Sequence, residues 1–460
     1  MTADVVYGAL FRNVLLPGYD EGLRDRPTLR IQRELQKTQW CSLDELLAKQ
    51  ARDLRALLTH AYSHVPWYRT ILDEMGARPD DFRTVSDVAR LPVLTRAAAR
   101  EAGDRRRSTV SPLPAVTKST SGTMGQPLTF AYDLGSEYWR QAVKARGYAW
   151  AGYRAGEPSF HYWGASAEKL PTMKRTKIAV DRAIRRETYV NCTLRDDAAM
   201  DAAVAKLRAV RPSSFLCYTQ AGADLARYIN ARGLRTWDTI SVLCGAERLF
   251  PADREALEEA FGPAVFETYG CREVMLIASE CGAHDGLHQS MENMIVEVVV
   301  TEGDKQRPAR PGEVGEVVIT DLHNFGMPFI RYANGDLAQQ GDGKRCACGR
   351  SLLRLGPIEG RVAETLRDGT GGRVSGLVFN VMFASALASS FKQFQAVQRK
   401  DGSITLKLVP ATRAPVAERE LEPIRATCRK YLQGVEVRTE IVADIPLSKA
   451  GKRQVVVVEQ

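Results

Sequence analysis

Helix-like and strand-like segments alternate through the middle of the chain, hairpin-like strands take over after residue 294, and the last ~100 residues form a compact helix-and-strand set. Together they predict an α/β protein with a large, multi-subdomain amino-terminal domain that includes a β subdomain, followed by a small α+β lid. The 460 residues, 44% hydrophobic and 26% charged, suffice for a large core with an appended domain. Collagen, coiled-coil and disordered classes are excluded.

In chain order, the first hundred residues read as helix. Leu43 to Tyr62 carries apolar residues at helical spacing and Pro66 ends that run. Val5 to Leu16 is interrupted by Arg12 and Asn13 and reads as a docking helix. No stretch approaches the roughly 20 apolar residues that cross a bilayer, and no signal-peptide pattern opens the chain, so a cytoplasmic protein without a membrane partner is expected. Residues 118–127, KSTSGTMGQP, cannot pack a core and leave hydroxyls and backbone N–H groups for a ligand. Helix-like 201–210, 220–232 and 252–261 then alternate with strand-like 213–218, 240–244 and 264–268. MIVEVVV and GEVVITD, between Met294 and Asp321, read as a β hairpin region. The lid is predicted as helix 378–391, strand 403–409, helix 416–432 and strands 435–441 and 454–458. The boundary falls near Gly360-Arg361, giving domains 1–361 and 362–460.

Lys and Arg number 64 against 55 Asp and Glu, a net charge of +9 that suits polyanionic ligands without selecting one. No RNP-type sequence or basic helix supports nucleic acid. Arg105-Arg106-Arg107 reads as a solvated loop. The nine cysteines are odd in number and mostly scattered, which argues against a disulfide framework. Cys281, His288, Cys346 and Cys348 nevertheless supply three thiolates and an imidazole, the complement of a closed structural zinc site, with His284 as the competing imidazole.

Thr120, Ser121, Gly122, Thr123 and Gly125 offer hydroxyls and close backbone approach to a polyphosphate, although no Gly-Lys-Ser/Thr makes the run a Walker loop. Further on stand Gly245-Ala246-Glu247, then Glu267-Thr268-Tyr269-Gly270-Cys271-Arg272-Glu273, then RYANGD at 331–336 and PLSKAGK at 446–452. This ordered set resembles the adenylate-forming superfamily. With AYSHVPWYR at 61–69 and DVARLPVLTR at 87–96 it resembles most the phenylacetate–CoA ligase branch, including CapK-like members, over nearly the whole chain.

The resemblance implies the following roles. Residues 120–125 hold the ATP phosphates, with Ser121 and Thr123 as hydroxyl donors. Gly245 and Ala246 present backbone to the adenine and Tyr269 walls its other face, with Glu247, Glu267 and Thr268 in the same nucleotide site. Glu273 holds Mg²⁺, and Asp336 binds the ribose hydroxyls. Arg331 pairs with Asp336 or faces phosphate, two alternatives that the sequence leaves open. Gly360-Arg361 is the hinge, with Glu364 as pivot, and Lys452 is the catalytic lysine brought to carboxylate and α-phosphate. Gly-Leu-His spacing in the branch favours His288 for zinc. Two departures stand out: Gln126 replaces a lysine found in many members, and Ala363-Glu364 replaces an acidic pair.

The activity implied is an AMP-forming ligase that joins a carboxylic acid, aryl or arylacetic, to coenzyme A. Tyr162, Trp163 and Tyr218 line the acid pocket or belong to the core. The alternatives are an amide ligase, a nucleotidyl transferase with a non-CoA acceptor, or a non-catalytic nucleotide-binding relative. A homodimer is left open.

Overall fold

The computed structural model describes residues 3–110, 115–119, 128–164, 172–193, 195–302, 305–361, 365–369, 373–375, 391–410, 416–432, 434–446 and 456–459. The phosphate loop 120–127, Glu364 and Lys452 lie outside them, as does the expected helix 378–391 except at Phe391. The chain forms two compact units, one of residues 1–249, 253–334 and 338–358, the other of 250–252, 335–337 and 359–460.

The first unit opens with α1 (Ala3–Leu10), wider π-helical turns at Phe11–Leu15 and Gly18–Leu23, then α2 (Thr28–Thr38) and α3 (Leu43–His64). Ser42 starts α3 through a reciprocal cap in which the Glu45 carboxylate takes the Ser42 N–H at 2.8 Å. Pro66 does more than end this run: it is the first residue of α4 (Pro66–Glu74), where its missing N–H costs nothing. Leu54, Leu57, Leu58 and Ala61 of α3 bury with Tyr68 against Ile295, Leu322 and Ile330.

After α5 (Arg96–Ala102), Arg106 corrects the expected solvated loop. It is 0% exposed, its Nε donates to the Ala99 carbonyl at 3.3 Å, and its guanidinium lies 4.9 Å from the Phe329 ring centroid. The tight turn Gly103–Arg106 points successive side chains in different directions, so a run of three arginines need not share one environment.

Strands β1 (Ala115–Ser119) and β2 (Thr129–Asp133) pair antiparallel, and Asp133 caps α6 (Leu134–Trp150) by accepting the Ser136 N–H at 2.8 Å. The expected alternation follows: β3 (Ser159–Trp163), α7 (Thr172–Arg185), β4 (Glu187–Asn191), α8 (Asp197–Val210), β5 (Ser214–Tyr218), α9 (Thr219–Arg232), β6 (Ser241–Gly245), α10 (Pro251–Phe261) and β7 (Val265–Cys271). Strands β4, β3, β5, β6 and β7 are parallel neighbours in that order. Phe160, Phe215, Val242 and Val265 point to one face, where α8, α9 and α10 cover them.

From β7 the sheet turns antiparallel through β8 (Met275–Glu280) and β9 (Leu287–Gln289). It continues with β10 (Met294–Glu302), β11 (Lys305–Pro308), β12 (Val314–Asp321), β13 (Tyr332–Gln340) and β14 (Arg354–Arg361), in the order β11-β10-β12-β13-β14-β9-β8-β7-β6-β5-β3-β4. Two fully buried ion pairs hold α6 to this region: Arg140 to Asp321 at 2.9 Å and Arg146 to Glu292 at 2.6 Å.

In the second unit, β15 (Thr365–Arg367) pairs with β16 (Arg373–Ser375). Strands β17 (Phe391–Gln398), β18 (Ile404–Pro410), β19 (Val437–Ile441) and β20 (Val456–Val458) form a sheet ordered β19-β18-β17-β20. Ile424 and Cys428 of the helix Glu418–Tyr431 pack on Leu406 and Leu408. Phe391 therefore opens a strand that the sequence had assigned as the end of a helix. Phe394 and Ala396, two residues apart as on one face of a strand, join Phe391 in the core of this unit. No described helix is long and apolar enough to cross a membrane.

Candidate active site and metal cluster

Strand β6 delivers Gly245 at the carboxyl end of the parallel sheet, the edge at which α/β sheets take their ligands. A Cβ there would stand 3.0 Å from Thr268 Oγ1 and 3.7 Å from Trp163 Cη2, so glycine keeps the place open. Ala246 follows at φ +66°, a left-handed conformation that costs an alanine about 1 kcal/mol and turns the chain sharply off the strand.

Four hydrogen bonds hold this turn. Thr268 donates its hydroxyl to the Cys244 carbonyl at 2.8 Å. The Glu247 carboxylate accepts the Gln220 N–H at 3.1 Å at the start of α9, where Thr219 donates to the Glu247 carbonyl at 2.8 Å. The Glu267 carboxylate accepts the Leu249 N–H at 3.2 Å. Glu247 and Glu267 thus each hold a backbone amide. Burial raises the Glu267 carboxyl to about 7, and the neighbouring Glu280 adds to the rise against the Leu249 bond.

Gly270 is obligatory: a Cβ would lie 2.1 Å from the Met275 carbonyl oxygen, where β7 bulges against β8. Tyr269, just before it, is buried and accepts a hydrogen bond from Asn334 Nδ2 at 2.8 Å. Glu273 lies in the β7–β8 turn, 3% exposed, with Oε1 accepting from Arg96 Nη2 at 2.9 Å and from the Tyr332 hydroxyl at 3.0 Å. Asp336 is buried on β13.

Arg331 is held by Glu297 and by backbone. Its Nε and Nη2 bind Glu297 at 3.1–3.2 Å and its Nη1 donates to the Leu91 carbonyl. Its backbone stands at φ +53°, in the left-handed region.

Of the proposed acid-pocket aromatics, Tyr162 belongs to the core, 1% exposed beside Phe215. Trp163 and Tyr218 are half-buried at the strand ends with ring centroids 4.3 Å apart. Three cations escaped the sequence reading. Arg96 neutralises Glu273; Arg272 donates to the Ser119 carbonyl at 2.7 Å; Lys118 lies 5.0 Å from the Tyr132 ring, its pKa lowered by burial. All three stand within the sequence motifs at 87–96, 118–127 and 267–273, so their positions were visible although their partners were not. The side chain of Arg361 lies outside the described residues.

Cys281, His288, Cys346 and Cys348 come together with their ligand atoms all within 4.8 Å of one another. Cys281 Sγ and Cys346 Sγ are 3.8 Å apart, the edge of a tetrahedron whose metal–sulfur bonds are about 2.3 Å. His288 Nδ1 lies 3.2 Å from the Leu352 carbonyl, which leaves Nε2 directed to the cysteines, 3.3 Å from Cys348 Sγ. Burial moves the His288 pKa down to about 4, keeping the ring neutral and its lone pair available near neutral pH. His284 is turned away and lies 3.0 Å from Glu280. Pairing of β9 with β14, Leu287↔Leu355 and His288↔Arg354, closes the long sequence gap between the two halves of the cluster.

No protein-family model matches the chain. It is 28% identical over 344 residues to a phenylacetate–coenzyme A ligase of Thermus thermophilus, covering 70% of this chain and 72% of that protein. It is 29% identical over 346 residues to the phenylacetate–coenzyme A ligase of Escherichia coli, covering 72% and 75%. Among solved structures, 2-hydroxyisobutyryl-CoA ligase in its postadenylation state superposes with TM-score 0.72 at 19% identity over 92% of both chains. ATP-bound MatB from Rhodopseudomonas palustris gives 0.52 at 16% identity, over 74% of this chain and 66% of its own. The fold of this chain is that of these CoA ligases. In sequence it is similar to phenylacetate–coenzyme A ligases over about 70% of its length.

Proposed function

We propose that the protein is an AMP-forming carboxylate–CoA ligase. A carboxylate oxygen attacks the α-phosphorus of ATP, pyrophosphate leaves, and the acyl adenylate then passes its acyl group to the thiol of coenzyme A with release of AMP. The observation that carries this reading is the left-handed turn at Gly245-Ala246, beside Thr268-Tyr269 at the carboxyl edge of the parallel strands, in a fold shared with acyl-adenylate ligases.

The turn offers backbone to the adenine, with Tyr269 as the facing ring and Thr268 fixing the strand end. Glu247 and Glu267 act at one remove, holding the turn by its amides. Asp336 takes the ribose hydroxyls, and Thr120 to Gly125 the phosphates, with Thr123 donating in the transition state. Glu273 fits Mg²⁺ as a single carboxylate beside substrate phosphates, the usual way this hard ion is held. Arg96 neutralises that carboxylate and is the group an incoming cation displaces. Mg²⁺ would supply neutralisation of the polyphosphate. Lys452, on a lid that begins after Arg361 and pivots near Glu364, bridges carboxylate and α-phosphate. The half-buried Trp163–Tyr218 pair suits an aryl or arylacetic acid. The Cys281, His288, Cys346 and Cys348 cluster holds zinc as a structural ion, four ligands leaving no open position. These are small-molecule partners in a cytoplasmic setting.

The test is pyrophosphate release and product mass spectrometry with ATP, CoA and a panel of aryl and alkyl acids. A CoA thioester is expected, with loss of adenylation in Lys452→Ala. Adenylate without thioester would shift the reading to another acceptor, and no turnover with any acid would overturn it.

A further inference from the structure

The turn from β7 to β8 is short: Cys271 pairs with Met275, and only Arg272, Glu273 and Val274 stand between them. Met275 is left-handed at φ +69°, a conformation common where such tight hairpins close. The turn sends its side chains three ways. Val274 is buried in the core and Glu273 faces inward to Arg96 and Tyr332. Arg272 is exposed and reaches across to β1, where its Nη1 donates to the Ser119 carbonyl at 2.7 Å. Among the described residues no carboxylate pairs with this guanidinium, and that one carbonyl is its hydrogen-bond partner. Its charge is felt on two sides. Burial lowers the Lys118 pKa, and Arg140 and Arg272 lower it further against Glu137. Burial raises the Tyr218 pKa, and Arg272 opposes the rise. Arg272 therefore lies in electrostatic range of the end of β1 and of the Trp163–Tyr218 pair.

We infer that Arg272 grips the phosphates of a nucleoside triphosphate. The inference rests on the ligase reading and adds a cation which that reading leaves unassigned. Residues 119–127, STSGTMGQP, offer hydroxyls and backbone but carry no cation. The charge that a triphosphate needs must come from outside the run. Lys118 is half-buried against the Tyr132 ring, and Arg96 is already engaged with Glu273. Arg272 is exposed, is fixed at one nitrogen and presents the rest of a planar fork that matches phosphate oxygens in pairs. Its anchor selects the anion. The bond is made to Ser119, the residue that leads into the hydroxyls of Thr120, Ser121 and Thr123, and Arg272 is the chain neighbour of Glu273. As the carboxylate oxygen attacks the α-phosphorus, the bond from that phosphorus to the bridging oxygen breaks and its electron pair leaves with pyrophosphate. Arg272 keeps its protons and donates N–H bonds to the oxygens on which that charge grows, while the Ser119 carbonyl holds the guanidinium in place.

The test reads binding before turnover. In calorimetric titrations of the full chain in magnesium buffer, Arg272→Gln should bind ATP about tenfold more weakly than wild type and AMP within about twofold of it. Arg272→Lys keeps the charge without the fork and should recover part of the loss. The thermal midpoint should hold in both variants, because the side chain is exposed. Equal ATP affinity in wild type and Arg272→Gln overturns the inference and leaves the ligase reading standing. Equal losses for ATP and AMP also overturn it, since they mark a residue that only holds β1. Unchanged ATP affinity with a raised KM for the acid overturns it in favour of a contact to the carboxylate. A wild type that binds neither nucleotide and turns over no acid defeats the ligase reading itself, and the inference with it.

Discussion

Arg254 and Glu280 form a two-pronged ion pair, Nη2 to Oε1 at 3.0 Å and to Oε2 at 2.9 Å, and both partners also grip the backbone of β7. Arg254 donates to the Val265 carbonyl at 2.6 Å, and the Glu267 N–H donates to Glu280 Oε2 at 2.7 Å. Through residue 267 this strand pairs in parallel with β6, and from residue 268 it pairs antiparallel with β8. The ion pair sits at that changeover and takes up the hydrogen bonds that neither ladder supplies. It thereby fixes the segment Glu267-Thr268-Tyr269 from behind.

Removing the charge at Glu280 should loosen this junction. Glu280→Gln leaves Arg254 without its partner in a mostly buried setting, and a loss of about 2 kcal/mol is expected by chemical denaturation. The KM for ATP should rise more than kcat falls, because the positioned segment meets the nucleotide. An unchanged midpoint and an unchanged KM would count against the role.

The Arg146–Glu292 pair gives a sharper contrast. Both side chains are essentially without solvent contact, so Glu292→Leu strands a buried guanidinium and should cost about 3–5 kcal/mol. Arg146→Met/Glu292→Leu removes both charges and should recover most of that loss. A double variant as unstable as the single would show that the pair itself, rather than the stranded charge, sets the stability.

Glu267 should leave a mark on the pH dependence of stability. Its folded pKa, about 7, lies above the ordinary carboxyl value of 4.5. The folded state therefore binds this proton more tightly than the unfolded state. The resulting stability is complete below about pH 4.5 and is lost as pH rises to 7, a change on the order of 3 kcal/mol. Glu267→Gln should flatten that slope, making the variant relatively more stable than wild type at pH 8 than at pH 4.5. Parallel pH profiles of the two proteins would be evidence against the shift.

The cysteine–histidine cluster predicts about one zinc per chain in untreated protein, by elemental analysis, and less in Cys348→Ser. Chelation should lower the thermal midpoint of the wild type and leave the Cys348→Ser midpoint nearly unmoved. Protein purified without chelator that holds no metal would defeat the assignment.

The parallel strands were legible because each helix-to-strand change repeats within a short window, as in the run from α8 to β7. The metal cluster was legible in ligand type, and only the β9–β14 pairing brings its halves together. The partners of arginines were not legible. Arg331 pairs with Glu297 across two strands, and Arg106 is buried while its neighbours in an identical run are not. Periodicity reports which face a residue occupies, not which distant side chain meets it there. The role of Glu267 was obscured for a related reason: a motif position shows proximity to a ligand, and here the carboxylate faces a backbone amide.

Strand β9 has only three residues, and its neighbours are β8, a few residues upstream, and β14, which begins at Arg354. Four strands, β10 to β13, are synthesised between β9 and β14. A chain leaving the ribosome therefore completes the β8–β9 hairpin early and holds it with an open edge until more than sixty further residues have emerged. Closing so long a loop is slow, which makes docking of β14 a natural late step in folding and the interval before it the time when this short edge is most open to mispairing.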